Sequence, residues 1–397
     1  MTRTAIVTLN AGSSSLRCAL FERTDRGPQP HLRLSVRGLP DRMIWQRRDE
    51  RTGQCDESEL DPPGTRDTAQ EAARAHMLKR LLEEVAPEQI AAVAHRVVHG
   101  GRHHREPVEV TERILSRLEE LSPLAPSHQP HNLAAIHDLQ GRFADVPQIA
   151  CFDTAFHHSL PQNDRIFGLP KHLTEEGVIR YGFHGLSFEH VARTLAETAP
   201  EVASRKVIVA HLGHGVSLCA MQDGHSIATT MGMTALDGVP MGRRPGALDP
   251  GIVLYLIEQK GMAPAEVRDM LYQRSGLLGV SGLSSDMVDL LDSDDPDAAA
   301  AVGFFVYRCQ REIGSLAAAL GGLDALVFTG GMGENAPVIR QRICDGLDWL
   351  GVGIDPGANT AGEMRLSGRD ERVATLMVPT DEETVLARSA ERVLQNT

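Results

Sequence analysis

Two stretches far apart in the chain share one grammar. "AIVTLNAGSSSLRCALF" begins at Ala5 and "VIVAHLGHGVSLCAMQDG" at Val207. Each is an apolar, β-branched run, then a small polar turn carrying glycine, then a Ser-Leu pair opening a second apolar run. Apolar runs broken by such a turn read as strand, turn, strand. Meeting the pattern once at the start and again past the middle predicts a chain built as two duplicated halves.

The rest of the sequence fits an α/β fold class. Helical spacing runs from Thr68 to Val85, a β-branched run from Ala92 to His99 is closed by Gly100 and Gly101, and PQIACFDTAF and DALVFTGGMGEN are short apolar strands ending in polar or glycine residues. Further helical patterns cover Ala300 to Leu320 and Glu382 to Leu394. Alternation of this kind gives α/β layers with ligands held at the strand ends. With 397 residues, 42% of them hydrophobic, two domains are expected, drawn as 1–150 and 151–382. The closing helix, about 383–397, is expected to return to the first. The polar stretch from Arg23 to Asp67 reads as an exposed, irregular excursion.

A net charge of −13 argues against nucleic acid as a partner. The six cysteines are scattered, without a C-x-x-C, which points to free thiols in a reducing cytoplasm and away from zinc. No apolar run approaches the roughly 18 residues of a membrane span, and the start lacks the pattern of a signal peptide, so a cytoplasmic protein is expected.

A turn of glycines and serines between strands can be a plain hairpin, or a cradle of N–H groups and hydroxyls for phosphate oxygens. Two matched turns and a third glycine cluster, Gly330 to Asn335, favour the cradle. The chain has no G-x-x-x-x-G-K-[ST] loop, so nucleotide would be held by paired hairpin turns.

The stretches LNAGSSSL, AHRVVHGG, LAPSHQP, FDTAFH, YGFHG, HLGHGVS, TTMGMTALDGVPMGRRPGALDP, GVSGLSSD, VFTGGMGEN and PTDEETVLAR run in order from residue 9 to residue 388. As a set they resemble the acetokinase family of acyl kinases, within the actin, hexokinase and Hsp70 superfamily. The resemblance implies two duplicated ribonuclease H-like domains with an active-site cleft between them, and transfer of the ATP γ-phosphoryl to acetate or a close relative such as propionate or butyrate. It implies a magnesium requirement, with manganese as an alternative, and a homodimer. Of the site residues, Arg96 and Arg244 match the essential arginines, His184 the histidine set against the phosphoryl, His128 a second active-site histidine and Asp153 a carboxylate sometimes cast in the family as an acid/base. The acceptor carboxylate is already ionised at neutral pH and needs no base, so Asp153 is expected to orient magnesium-bound water or His184.

By the same resemblance Asn10 and Glu382 are the metal ligands. Nucleotide contacts fall on Ser13, Ser15, Arg17, the turn His211, Leu212, Gly213, His214 and Gly215, the segment Asp286, Met287 and Val288, and the cluster Gly331, Met332, Gly333, Glu334 and Asn335. Val98, Ser127, Phe183 and Ala235, with Arg96, form the acyl pocket. Arg17, His214, Arg243, Ala247 and Val288 depart from the usual pattern around the nucleotide, and Ser127 and Ala235 stand where the family carries bulkier Leu and Pro. A contrasting reading of the nucleotide departures is a relative that binds ATP only as a regulatory switch.

Overall fold

The structure is a computed structural model that describes residues 4–12, 15–39, 43–61, 65–126 and 128–396, with Arg66 and Asp67 described only in backbone. The chain forms two units, the first comprising residues 1–155 and 381–397 and the second Phe156–Thr380.

In the first unit the strands are β1 (Ala5–Ala11), β2 (Ser15–Glu22), β3 (Gln29–Arg37), β4 (Met43–Asp49), β5 (Cys55–Leu60), β6 (Ile90–Val97), β7 (Val108–Glu109) and β8 (Gln148–Phe152). They form one sheet in the order β5-β4-β3-β2-β1-β6-β8-β7. In the second unit β9 (Val207–Leu212), β10 (Val216–Gln222), β11 (His225–Thr229), β12 (Ala325–Thr329) and β13 (Ala374–Met377) form a sheet in the order β11-β10-β9-β12-β13. The duplication is plain in the pairing. β1 runs antiparallel to β2 and parallel to β6, which is parallel to β8; β9 runs antiparallel to β10 and parallel to β12, which is parallel to β13. The two similar sequence stretches are β1–β2 and β9–β10, the equivalent hairpins of the two halves.

The stretch from Arg23 to Asp67 is not irregular. It forms β3, β4 and β5, extending the first sheet through antiparallel pairing. Leu32, Leu34 and Val36 alternate inward along β3, and Met43 and Trp45 do so along β4. Each large apolar side chain so buried stabilises the unit by about 1.5–3 kcal/mol, enough to outweigh the polar residues facing outward. Ala69, Ala73, Met77 and Leu81 of the helix Arg66–Glu84 recur every four residues and share that core. The closing helix Glu382–Gln395 starts at Asp381, whose carboxylate accepts from the Thr384 N–H at 3.1 Å, and an Arg23–Glu391 ion pair of 2.7 Å ties it to the unit. Among the described residues, no helix is long and apolar enough to cross a membrane.

Candidate active site

In the first unit β6 carries Arg96 on an otherwise buried, β-branched strand, and the segment just beyond β8 carries Asp153. Because the two strands are parallel neighbours, with Val97 beside Phe152, the side chains meet. Arg96 Nη2 donates to Asp153 Oδ2 at 2.6 Å and Arg96 Nε to Asp153 Oδ1 at 3.0 Å, a bidentate pair in which the carboxylate is almost fully buried. Burial opposes the arginine's charge, but Asp153 and Glu382 outweigh it and raise the pKa above the usual value. Asp153 thus aims and neutralises the Arg96 guanidinium.

Arg96 Nη1 also donates to Asn10 Oδ1 at 3.1 Å, and Asn10 Nδ2 donates to Glu382 Oε2 at 2.7 Å. Asn10, Arg96, Asp153 and Glu382 thus form one polar network at the ends of β1 and β6 and the start of the closing helix. Beside it Glu383 is buried, and desolvation first, then the charge of Glu382, pushes its carboxyl above the usual range against the opposing charge of Arg17. Glu383 Oε1 has no hydrogen-bond partner among the described residues. Among the described residues, no group of three or more His, Cys, Asp or Glu side chains is assembled for a metal. What the chain offers a magnesium ion is a carboxylate, an amide oxygen with a second lone pair and a concentration of negative charge, a donor set that fits this hard cation.

Ser13 and Ser127 lie outside the described residues. Ser15 begins β2, where its carbonyl accepts from the Gly12 N–H at 2.8 Å, and Arg17 sits exposed on β2 opposite Asn10. His128 occupies the position before the helix Gln129–Gln140. Val98 is buried just past β6, its N–H donating to Asn132 Oδ1 at 3.0 Å.

The second unit gathers a different set. His184 precedes the helix Gly185–Thr198 with φ of 58°; among the described residues, the other non-glycine with a positive φ is Asp223. Such a backbone persists when its surroundings hold it. Burial lowers the His157 pKa to about 4, so the ring is neutral, and its Nε2–H donates to the Phe183 carbonyl at 3.0 Å while Nδ1 accepts from the Ser226 hydroxyl at 2.8 Å. His157, a residue of the FDTAFH motif given no role from sequence, anchors the turn that presents Phe183 and His184.

The His184 ring stacks on that of His211, with centroids 4.3 Å apart. His184 Nδ1 bonds Ser217 Oγ and His211 Nδ1 bonds Ser187 Oγ, each at 2.8 Å. At Gly215, in the β9–β10 turn, an added Cβ would lie 2.7 Å from His184 Nε2 and 3.1 Å from Arg244 Nη2. The imidazole edge and the guanidinium therefore pack side by side over this glycine. Arg244 Nη1 donates to the Ala235 carbonyl at 2.7 Å, and among the described residues it forms no ion pair. Burial lowers its pKa to about 10, which leaves it cationic at neutral pH. A half-buried guanidinium with no counter-charge among the described residues, next to an imidazole edge, is a place for an anion.

The glycine clusters converge in the same unit. Gly330, with φ of 81°, packs on the backbone of Leu212, so the short helix Gly330–Asn335 that follows β12 sits against the end of β9 beside the His211–Gly215 turn. Met332 lies within this helix, Asn335 Nδ2 donates to the Gly331 carbonyl at 2.8 Å, Gly333 faces Leu212, and Glu334 Oε1 accepts from the Thr380 N–H at 2.9 Å. Gly242 approaches the carbonyl of Ser285, which brings the Arg243–Arg244 loop to the segment Asp286–Val288. Asp286 caps its short helix by accepting from the Val288 N–H at 2.8 Å; Met287 is buried and Val288 is 63% exposed. His214 and Arg243 are exposed, and the Ala247 N–H donates to the Gly238 carbonyl at 2.7 Å. Phe183 is buried.

Sequence comparison decides what this arrangement belongs to. Residues 5–388 match the acetokinase family. The chain is a member of that family. It is 50% identical over 393 residues, 98% of each chain, to the acetate kinase of Rhodopseudomonas palustris (strain ATCC BAA-98 / CGA009), and 45% identical over 389 residues, 96% of each, to that of Methylocella silvestris. Among solved structures it resembles a propionate kinase from Francisella tularensis, with a TM-score of 0.87 at 33% identity over 98% of this chain and 99% of the other. It also resembles the acetate kinase of Porphyromonas gingivalis, with a TM-score of 0.83 at 32% identity over 98% and 100%. These acetokinase neighbours share the duplicated α/β fold expected from the repeated hairpin.

Proposed function

We propose that the chain catalyses reversible transfer of the γ-phosphoryl of ATP to acetate, giving acetyl phosphate and ADP. The observation that carries the reading is the pair of differently prepared arginines. Arg96 is aimed and neutralised by Asp153, and Arg244, beside His184, has no counter-ion among the described residues.

A carboxylate oxygen attacks the γ-phosphorus in line and ADP departs, so the chain's task is to bring two anions together. Arg96 holds the acetate carboxylate, its fork suited to two oxygens at once. Arg244 and His184 stabilise the equatorial oxygens of the migrating phosphoryl. The glycine turn at His211–Gly215 and the short glycine helix containing Gly331–Asn335 take the nucleotide phosphates through backbone N–H groups, with Ser13, Ser15 and Arg17 as the counterpart in the first unit. Asp286, Met287 and Val288 flank the nucleoside, His128 lies near the acyl group, and Val98, Ser127, Phe183 and Ala235 surround its alkyl end. Asn10 and Glu382 would hold magnesium, which neutralises phosphate charge when bound. No residue is needed as a base.

Propionate is a second acceptor in this reading, because Ala235 stands where the family has proline, and a methylene is worth only about 1–3 kcal/mol of discrimination. The protein acts in the cytoplasm, as the free cysteines favour, five of the six being buried. It acts as a homodimer: the helix Pro250–Glu258 has no buried residue although it reads PGIVLYLIE, and a second copy covering Ile252, Leu254 and Tyr255 would remove them from water.

The reverse reaction tests the reading. Acetyl phosphate with MgADP is expected to give ATP, read by a luciferase couple, and the signal is expected to vanish with EDTA. Absence of ATP from acetyl, propionyl and butyryl phosphates would overturn it.

A further inference from the structure

Two histidines and two serines of the second unit form a reciprocal box. The helix Gly185–Thr198 supplies Ser187, with His184 at its start, three positions earlier. The β9–β10 hairpin supplies His211 and Ser217, which lie directly opposite each other in the antiparallel register. Each imidazole gives its Nδ1 to the serine of the other element, His184 to Ser217 and His211 to Ser187, and the two rings stack between them. Ser187 and Ser217 are both fully buried, and a serine on the inner face of a strand is retained there only with a hydrogen-bond partner.

We propose that Ser217 is a positioning residue for phosphoryl transfer: its hydroxyl donates to His184 Nδ1 and so places the imidazole proton on Nε2, aimed at the phosphoryl. The choice follows from what lies beside Nε2. Nε2 and the Arg244 Nη2 both pack over Gly215, within 2.7 and 3.1 Å of where a Cβ would stand, so imidazole and guanidinium sit side by side. A guanidinium is a donor only, so a second donor there makes an anion site, whereas a bare Nε2 lone pair would turn an acceptor toward the anion. Which nitrogen of a neutral histidine carries the proton is set by the bond its other nitrogen makes. A serine can supply that bond without adding charge, whereas a carboxylate in its place would cancel the field of Arg244. The same logic operates at His157, where Ser226 donates to Nδ1 and Nε2–H points to a carbonyl. Ser187 sets His211 in the same way and so fixes the surface on which His184 stacks.

This inference rests on His184 acting on the phosphoryl, and the test separates the two. In the ligand-free wild-type protein, 15N-resolved NMR of the histidine rings, with His184 assigned by the His184→Ala variant, is expected to show the proton on Nε2. Ser217→Ala adds no volume and is expected to lose that single tautomer. Its kcat should fall roughly 10- to 100-fold, the range seen when a metal-ligating imidazole loses its outer partner, with KM for MgATP within about threefold of wild type and the melting curve retained. Ser217→Thr, which keeps the hydroxyl on a strand that tolerates β-branching, is expected to restore the tautomer and most of kcat. A wild-type Nδ1–H tautomer, or a Ser217→Ala enzyme with unchanged kcat, would overturn the proposal. If His184→Ala itself left kcat unchanged while the tautomer was as expected, the role of His184 would fail and the box would stand only as architecture.

Discussion

Arg96 and Arg244 are the same residue type in opposite states. Arg96 shares its charge with an almost fully buried Asp153, so breaking that pair strands a charge. Removing one partner of a buried pair costs about 3–5 kcal/mol. Asp153→Ala is therefore expected to lower stability to urea measurably, whereas a residue serving only the substrate would leave the midpoint unchanged. Arg244 has no such partner among the described residues, so its loss removes a cation that the fold does not need. Arg244→Ala is expected to lower kcat by about 10²–10³ or more while circular dichroism and the melting temperature stay near wild type. The two arginines were legible as motif residues. Their difference was not, because Asp153 is 57 positions from Arg96 and only the pairing of β6 with β8 brings them together. Ser217 was silent for a related reason: a serine within an apolar strand carries no signal until its partner is placed.

At the scale of elements, the repeated hairpin was readable because an apolar run, a glycine turn and a second apolar run constrain the backbone locally. The stretch from Arg23 to Asp67 was misread because its outward positions are charged and its turns are rich in Gly and Pro, although Leu32, Leu34 and Val36 already alternated with period two. The loop bearing Arg244 depends on a residue the motifs did not single out. Gly276 has φ of 64°, and an added Cβ would fall within 2.7 Å of the Arg244 carbonyl oxygen and 2.9 Å of its amide nitrogen. Gly276→Ala is expected to displace that loop and reduce kcat at least as far as Arg244→Ala does, with a lowered melting temperature as well; wild-type kinetics would show that the loop tolerates the shift.

For the molecule as a whole, acid sensitivity follows from three buried histidines. His95, His99 and His157 each have their pKa lowered by burial to about 4, below the unfolded value near 6.5. The folded state therefore binds fewer protons than the unfolded state between these values. The stability these neutral rings contribute is present above about pH 6.5 and is lost as pH falls toward 4. Urea midpoints are expected to decline across that window, and a flat profile would mean that the rings are not buried in their neutral form. Assembly is tested by light scattering: a dimer is expected, with Leu254→Glu shifting it to monomer, and a monomeric wild type would remove the role given to the helix Pro250–Glu258.

The measurement that bears most directly on the central claim is trapping of the product. With MgATP, hydroxylamine and a panel of formate, acetate, propionate, butyrate and glycolate, the protein is expected to form hydroxamate with acetate at the highest kcat/KM and with propionate next, and Arg244→Ala is expected to form almost none. No hydroxamate from any acid, with ATP still bound, would contradict the account and leave an ATP-binding switch as the better description.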